Sequence, residues 1–232
     1  MAVEVDVWSV DLDEDAPPTS AVLHLLTAEE RTRAAGMAAG RRREFVLCRA
    51  VVRRLLAGRA GVPTSAVRWG TGRDGKPGPA GGVHWNLTHA GGRALVATCA
   101  SAPVGVDLLR ADAAGGTAGV VRRFGTAAER SALQAAPEGD RQAVAAQLLA
   151  RREACVKALG GRLLDLLDLD VPGPGEPCSA GRVLTTADVP VAPGWAAAVA
   201  AAAAGPVTAR QHRWCWRAPT GAPGHAASGV GP

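Results

Sequence analysis

The apolar residues of this chain twice change their repeat, from the strand period of two to the helical period near 3.6 and back, and that succession restricts the fold to a mixture of small sheets and helices. Val3, Val5 and Val7 alternate, with Trp8 and Val10 shifting the phase, which predicts an opening strand. Thr27, followed by Glu29 and Glu30, has the form of a helix N-terminus, and glycines at 36 and 40 interrupt the helical run that it opens. Phe45, Cys48, Val52, Leu55 and Leu56 share one face of an amphipathic helix ending near Gly58, whose opposite face carries Arg43 and Arg54 with Arg49 at the flank and reads as solvated. Residues 70–82 form a Gly/Pro-rich loop. Runs 83–89 and 93–100 flank Ala90-Gly91-Gly92 as a hairpin, and a further strand-like run covers 103–109. Helices are predicted over 126–135 and 142–159, the second closed by Gly160-Gly161, then a loop over 172–181. A final pair of strands includes a buried, alanine-rich one at 195–203. The class is α/β (α+β).

With 232 residues the chain can form one large domain or two small halves, since domains run to about 100–200 residues. Its longest purely apolar run, 195–204, falls well short of the roughly 20 residues that span a bilayer, so no membrane association is expected. The opening Met1-Ala2-Val3-Glu4-Val5-Asp6 is acidic where a secretory signal is basic and apolar, which leads to the expectation of a cytoplasmic protein. Five cysteines, at 48, 99, 155, 178 and 215, include no Cys-x-x-Cys pair and read as reduced thiols. The formal charge of +5, with arginines at 31, 33, 41, 42, 43, 49, 53 and 54, favours an anionic partner. Tyr is absent and Phe occurs twice, so base-stacking platforms would depend on the six tryptophans, and no nucleic-acid partner is expected.

Against twenty-four arginines the chain has two lysines, Lys76 and Lys157. An ammonium is a compact three-donor charge that meets a phosphate from any direction, which the planar guanidinium cannot copy. Lys76 lies in the turn Arg73-Asp74-Gly75-Lys76-Pro77, and Lys157 follows Glu153 by four residues in a helical pattern. Asp107 stands in an otherwise apolar strand, on the same face as Gly105 and Leu109. Gly105 leaves room beside the carboxylate for a metal and its waters, while a pairing with an arginine or a backbone cap is an equal alternative. Glu153 shares an apolar stripe with Leu149 and Val156. It is answered either by Lys157, in an ordinary i,i+4 pair, or by a hard cation such as Mg²⁺. In Trp85-Asn86-Leu87-Thr88-His89, the Thr88 hydroxyl and the His89 ring at a strand end can reach a phosphate or can be structural.

Four segments in this order and spacing, Gly75-Lys76-Pro77, Trp85-Asn86-Leu87-Thr88-His89, Gly105-Val106-Asp107 and Arg152-Glu153-Ala154-Cys155-Val156-Lys157, resemble the Sfp-type 4'-phosphopantetheinyl transferases, with the likeness running from about residue 3 to 217. The resemblance implies two pseudo-symmetric halves, each a small, mostly antiparallel sheet packed with helices. Residues 1–102 would form the coenzyme A-contacting half, 103–217 the metal-site half, and 218–232 a disordered tail. It implies transfer of 4'-phosphopantetheine from coenzyme A to a serine of an apo acyl or peptidyl carrier protein, releasing adenosine 3',5'-bisphosphate, with Mg²⁺ and a monomeric chain. Polyketide or nonribosomal peptide biosynthesis would be the setting. Asp107 and Glu153 would hold Mg²⁺ against the pyrophosphate, Glu153 would take the serine proton, and Lys157 would bridge phosphate oxygens. Lys76, Thr88, His89, Arg33 and Arg43 would contact the nucleotide or its 3'-phosphate.

The chain departs from the family at four places. Leu109 stands where a second acid is usual, Leu149 replaces a tryptophan, Ala90 a serine, and Arg162 lies where a loop glycine is common. Leucine cannot bind metal, so weakened metal affinity is expected. The alternative reading is a coenzyme A-binding homologue without transferase activity.

Overall fold

The computed structural model describes residues 2–70, 79–111, 116–161, 171, 173–179 and 182–216. Lys76 and Arg162 lie outside these residues, as does the stretch 218–232 read from the sequence as a disordered tail. Among the described residues the fold is mixed α/β, with two four-stranded sheets and six helices.

The first sheet has the order β2-β3-β1-β8, from β1 (Val3–Asp11), β2 (His84–Ala90), β3 (Arg93–Cys99) and β8 (Val207–Arg213). All its pairings are antiparallel except β1 with β8. The second has the order β4-β7-β6-β5 and is antiparallel throughout, from β4 (Val104–Arg110), β5 (Pro177–Ser179), β6 (Val183–Asp188) and β7 (Trp195–Ala201). β8, although it comes after the second sheet in sequence, pairs with the opening strand of the first.

The phase shift in β1 records that both of its faces are covered. Val3, Val5 and Val7 enter a core shared with Val104, Val106 and Leu108 of β4 and Val199 of β7, so the two sheets pack face to face. Val10 and Leu12 enter a separate core with Val46, Leu47, Val51 and Leu55 of α3 (Ala39–Ala60). Thr27 caps α2 (Ala28–Ala35) in a capping box: its hydroxyl accepts from Glu30 N at 3.2 Å, and Glu30 Oε2 accepts from Thr27 N at 3.0 Å. The helical run is interrupted between α2 and α3 near Gly36 and Gly40, as expected, but α3 continues past Gly58 to a left-handed Gly61. Gly91 and Gly92, both at positive φ, join β2 to β3 as the two-residue turn that a hairpin requires.

Helix α6 (Arg141–Leu159) lies on the outer face of the second sheet, and α4 (Gly116–Phe124) and α5 (Ala127–Ala135) pack against α6. β7 occupies a central position, and its alanines have a packing reason. Ala198 and Ala200 share a core with Ala150 and Ala154 of α6, where small side chains let helix and sheet approach closely. α6 ends at a left-handed Gly160, and Gly161 N donates to Val156 O at 3.1 Å. Four elements are not apparent from the sequence: the four-residue α1 (Thr19–Val22), α4, β6, and the short β5, which lies inside the stretch expected to be loop.

Candidate active site

Asp107 is 5% exposed, and two side chains from opposite directions answer its charge. Lys157 Nζ donates to Asp107 Oδ1 at 2.6 Å and to Val106 O at 3.1 Å, while Thr88 Oγ1 donates to the same Oδ1 at 3.1 Å. The three residues come from α6, β4 and β2, so the cluster ties both sheets to the helix. Asp107 Oδ2 is buried and has no hydrogen-bond partner among the described residues. Leaving such an oxygen without a donor costs about 1–3 kcal/mol.

The approach of α6 to β4 is set by Gly105. A Cβ there would lie 2.0 Å from Ala154 O and 2.5 Å from Ala158 N, so helix backbone fills the gap that Gly105 leaves, and the orphaned Asp107 Oδ2 is the atom left for a cation. The buried row Ala146, Ala150, Ala154, Ala158 runs along the sheet-facing side of α6. The row one residue earlier, Leu149, Glu153, Lys157, is half-buried. Because Lys157 of this row reaches Asp107, Glu153 one turn before it lies on the β4 side of the helix. The row on the other flank faces β6, where Gln147 Nε2 and Arg151 Nε each donate to Asp188 Oδ1 at 2.7 Å. Val156, three residues after Glu153 on the same face, is buried.

Leu109 shares the Asp107 face of β4 and packs against the clusters containing Ala146, Ala150 and Ala196. An acid there would face alanines. Leu149 is likewise absorbed into apolar packing, with Val121, Leu133 and Leu148.

The strand motif of β2 divides its polar residues between two directions. Asn86 Oδ1 accepts from Val106 N at 3.2 Å and so satisfies the outer edge of β4, which has no strand partner on that side among the described residues. Asn86 and Thr88, two residues apart, point the same way. His89 is exposed, and its Nδ1 lies 3.5 Å from Glu44 Oε2. Arg33 is exposed with its guanidinium 5.4 Å from the Phe45 ring centre, and Arg43 Nη2 donates to Leu12 O at 3.0 Å.

The arginine face of α3 is less solvated than its pattern suggests. Arg53 is 3% exposed, bonds Glu30 Oε2 at 2.9 Å and Val67 O at 3.0 Å, and stacks 4.4 Å from the Trp69 ring centre. Arg49 lies between Phe45 and Trp69, and burial holds its pKa below the usual arginine value, with Arg33 adding to the effect and Glu30 opposing it.

One buried ion pair beside the site is not apparent from the sequence. Arg152, which directly precedes Glu153, is 2% exposed and paired with Glu129 of α5, itself 3% exposed. Arg152 Nε donates to Glu129 Oε1 at 3.2 Å, and Glu129 Oε2 also accepts from Thr126 N at 2.8 Å. The pair clamps α5 to the helix carrying Glu153 and Lys157. The available signal is Thr126-x-x-Glu129, a capping-box spacing at a predicted helix start.

A buried strand carboxylate, a helix lysine and a threonine of the first sheet are thus brought together where α6 and β2 meet β4. Residues 103–186, which contain β4 and α6 with Asp107 and Lys157, match the family ACPS: 4'-phosphopantetheinyl transferase superfamily. That match spans less than half of the chain and shows what this segment is similar to. No curated protein matches the chain. Among the described residues no helix is long and apolar enough to cross a membrane, and no group of three or more His, Cys, Asp and Glu side chains is placed to hold a metal.

Proposed function

We propose that this chain transfers 4'-phosphopantetheine from coenzyme A to a serine hydroxyl of an apo acyl or peptidyl carrier protein, with release of adenosine 3',5'-bisphosphate. The observation that carries the reading is the buried Asp107, whose Oδ1 is held by Thr88 and Lys157 and whose Oδ2 is left unbonded among the described residues. An unpartnered, buried carboxylate oxygen fits a hard cation. Asp107 and Glu153 would hold Mg²⁺, which when bound supplies charge neutralisation for the pyrophosphate and its leaving group.

The rest of the chemistry belongs to the chain's own side chains. Glu153, half-buried on the β4 side of α6, accepts the serine proton as the serine oxygen bonds to the pantetheine-bearing phosphorus. The bond from that phosphorus to the departing adenosine bisphosphate oxygen breaks. Lys157 fixes Asp107 through one of its three N–H donors and Val106 O through another, and its charge is placed to stabilise the phosphates. Lys76, His89, Arg33 and Arg43 are assigned to coenzyme A, whereas the Thr88 hydroxyl is engaged by Asp107; residues 1–102 form the half that receives coenzyme A and 103–217 the half that holds the metal. The chain works as a monomer in the cytoplasm, in polyketide or nonribosomal peptide biosynthesis, and its +5 charge suits an acidic carrier protein.

Leu109 specifically favours a second reading, a coenzyme A-binding homologue that does not transfer, because its side chain is committed to apolar packing where the family usually has an acid. A magnesium titration of transfer separates the two. The transferase reading predicts activity that saturates only at high Mg²⁺ concentration, and at a much lower concentration in Leu109→Glu. Coenzyme A binding with no transfer at any Mg²⁺ concentration supports the second reading.

A further inference from the structure

We infer that Thr88 is a positioning residue for Asp107, and that its hydroxyl acts on the carboxylate rather than on coenzyme A; this rests on the metal-dependent reading above. A carboxylate end group turns easily between two nearly equivalent orientations, so on its own it presents either oxygen. Here the equivalence is broken. Thr88 Oγ1 at 3.1 Å and Lys157 Nζ at 2.6 Å both donate to Oδ1, and none of the described residues donates to Oδ2. Two donors on one oxygen select the other for the cation.

The two donors divide the work. Lys157 is half-buried at the end of a flexible stem, whereas Thr88 is 7% exposed on a strand whose path is fixed by hydrogen bonding to β3 and by Asn86 on Val106 N. Thr88 is therefore the rigid donor. It also carries information across the molecule, because β2 belongs to the first sheet and Asp107 to the second, and a displacement of one sheet against the other would turn the carboxylate. Groups that orient a metal-binding carboxylate characteristically contribute about 10- to 100-fold in metal affinity.

The test uses the full chain and compares Thr88→Val, which keeps the shape and removes the donor, with Thr88→Ser, which keeps the donor. Mn²⁺ binding is monitored by the loss of the free-ion electron paramagnetic resonance signal in the presence of coenzyme A, and coenzyme A binding without metal is measured by calorimetry. We expect Thr88→Val to weaken Mn²⁺ binding about 10- to 100-fold with coenzyme A affinity unchanged, and Thr88→Ser to restore Mn²⁺ binding. Thr88→Ala, which lacks the hydroxyl and sets no methyl groups against the carboxylate, repeats the comparison where Val impairs folding. Wild-type Mn²⁺ affinity in Thr88→Val or Thr88→Ala with a fall in coenzyme A affinity would overturn the inference and return Thr88 to the ligand. No Mn²⁺ binding by the wild type would overturn the metal-dependent reading itself.

Discussion

Arg152 and Glu129 place opposite charges where water cannot reach them, and the cost of desolvating both is recovered only while both are present. Glu129→Ala is expected to destabilise the fold by about 3–5 kcal/mol in urea unfolding, and replacing both residues with apolar ones of similar size to cost much less. The thiols provide a second check at this scale. Burial, with the Glu44 charge adding to it, pushes Cys48 up to about 12, and a hydrogen bond to Cys178 together with burial also raises Cys155. A thiol reacts as its thiolate, so alkylation of the native chain near neutral pH should label exposed Cys215 first and the four buried cysteines only on unfolding. Individual residues are partly legible in the sequence. Asp107, Glu153 and Lys157 each stand out because a charge interrupts an apolar pattern or a lysine survives among arginines. Their pairing is not legible, since Lys157 meets a carboxylate fifty positions away. Neither is the burial of Arg53 and Arg152, because a guanidinium on an amphipathic helix looks the same in sequence whether it meets water or a distant glutamate.

Between elements, the decisive contact is β4 against α6, and Gly105 sets its distance. Gly105→Ala must push helix backbone away, so we expect a loss of about 1–3 kcal/mol together with weakened metal binding, measured by denaturant unfolding and Mn²⁺ titration of the same variant. Gly58 is the contrasting case: it lies inside α3 with open space around its Cα, and Gly58→Ala should stabilise by about 0.4–1 kcal/mol. The elements with a strong repeat are readable, among them β1 and the hairpin of β2 and β3, while α6 is readable from its length and its Gly160-Gly161 stop. α4 is not, because glycines at 116 and 119 mask its helical pattern, and three-residue β5 is too short to show alternation.

The whole molecule is closed by β8 on β1, a pairing between residues some two hundred positions apart that local sequence cannot signal. Asp6 sits at this closure, bonded to His212 of β8 at 2.8 Å and to Arg59 of α3 at 2.5 Å. Burial alone would raise its pKa, but hydrogen bonds and charges from His212 and Arg59 outweigh it and hold the carboxyl below its ordinary 3.8. The stabilisation is therefore fully present above that ordinary value and is lost as pH falls through the lowered folded value. The melting-temperature difference between wild type and Asp6→Asn should accordingly shrink on acidification from about pH 5 to about pH 3, and a difference that grows would contradict the pairing.

The most direct test of the account is intact-mass spectrometry of an apo carrier protein incubated with the full chain, coenzyme A and Mg²⁺, beside Asp107→Ala and Glu153→Ala. The account predicts that the carrier gains the mass of one phosphopantetheine arm with the wild type and gains none with either variant. Undiminished transfer by both variants would contradict the assigned site, and no transfer to any of several carriers by a wild type that still binds coenzyme A would contradict the proposed reaction.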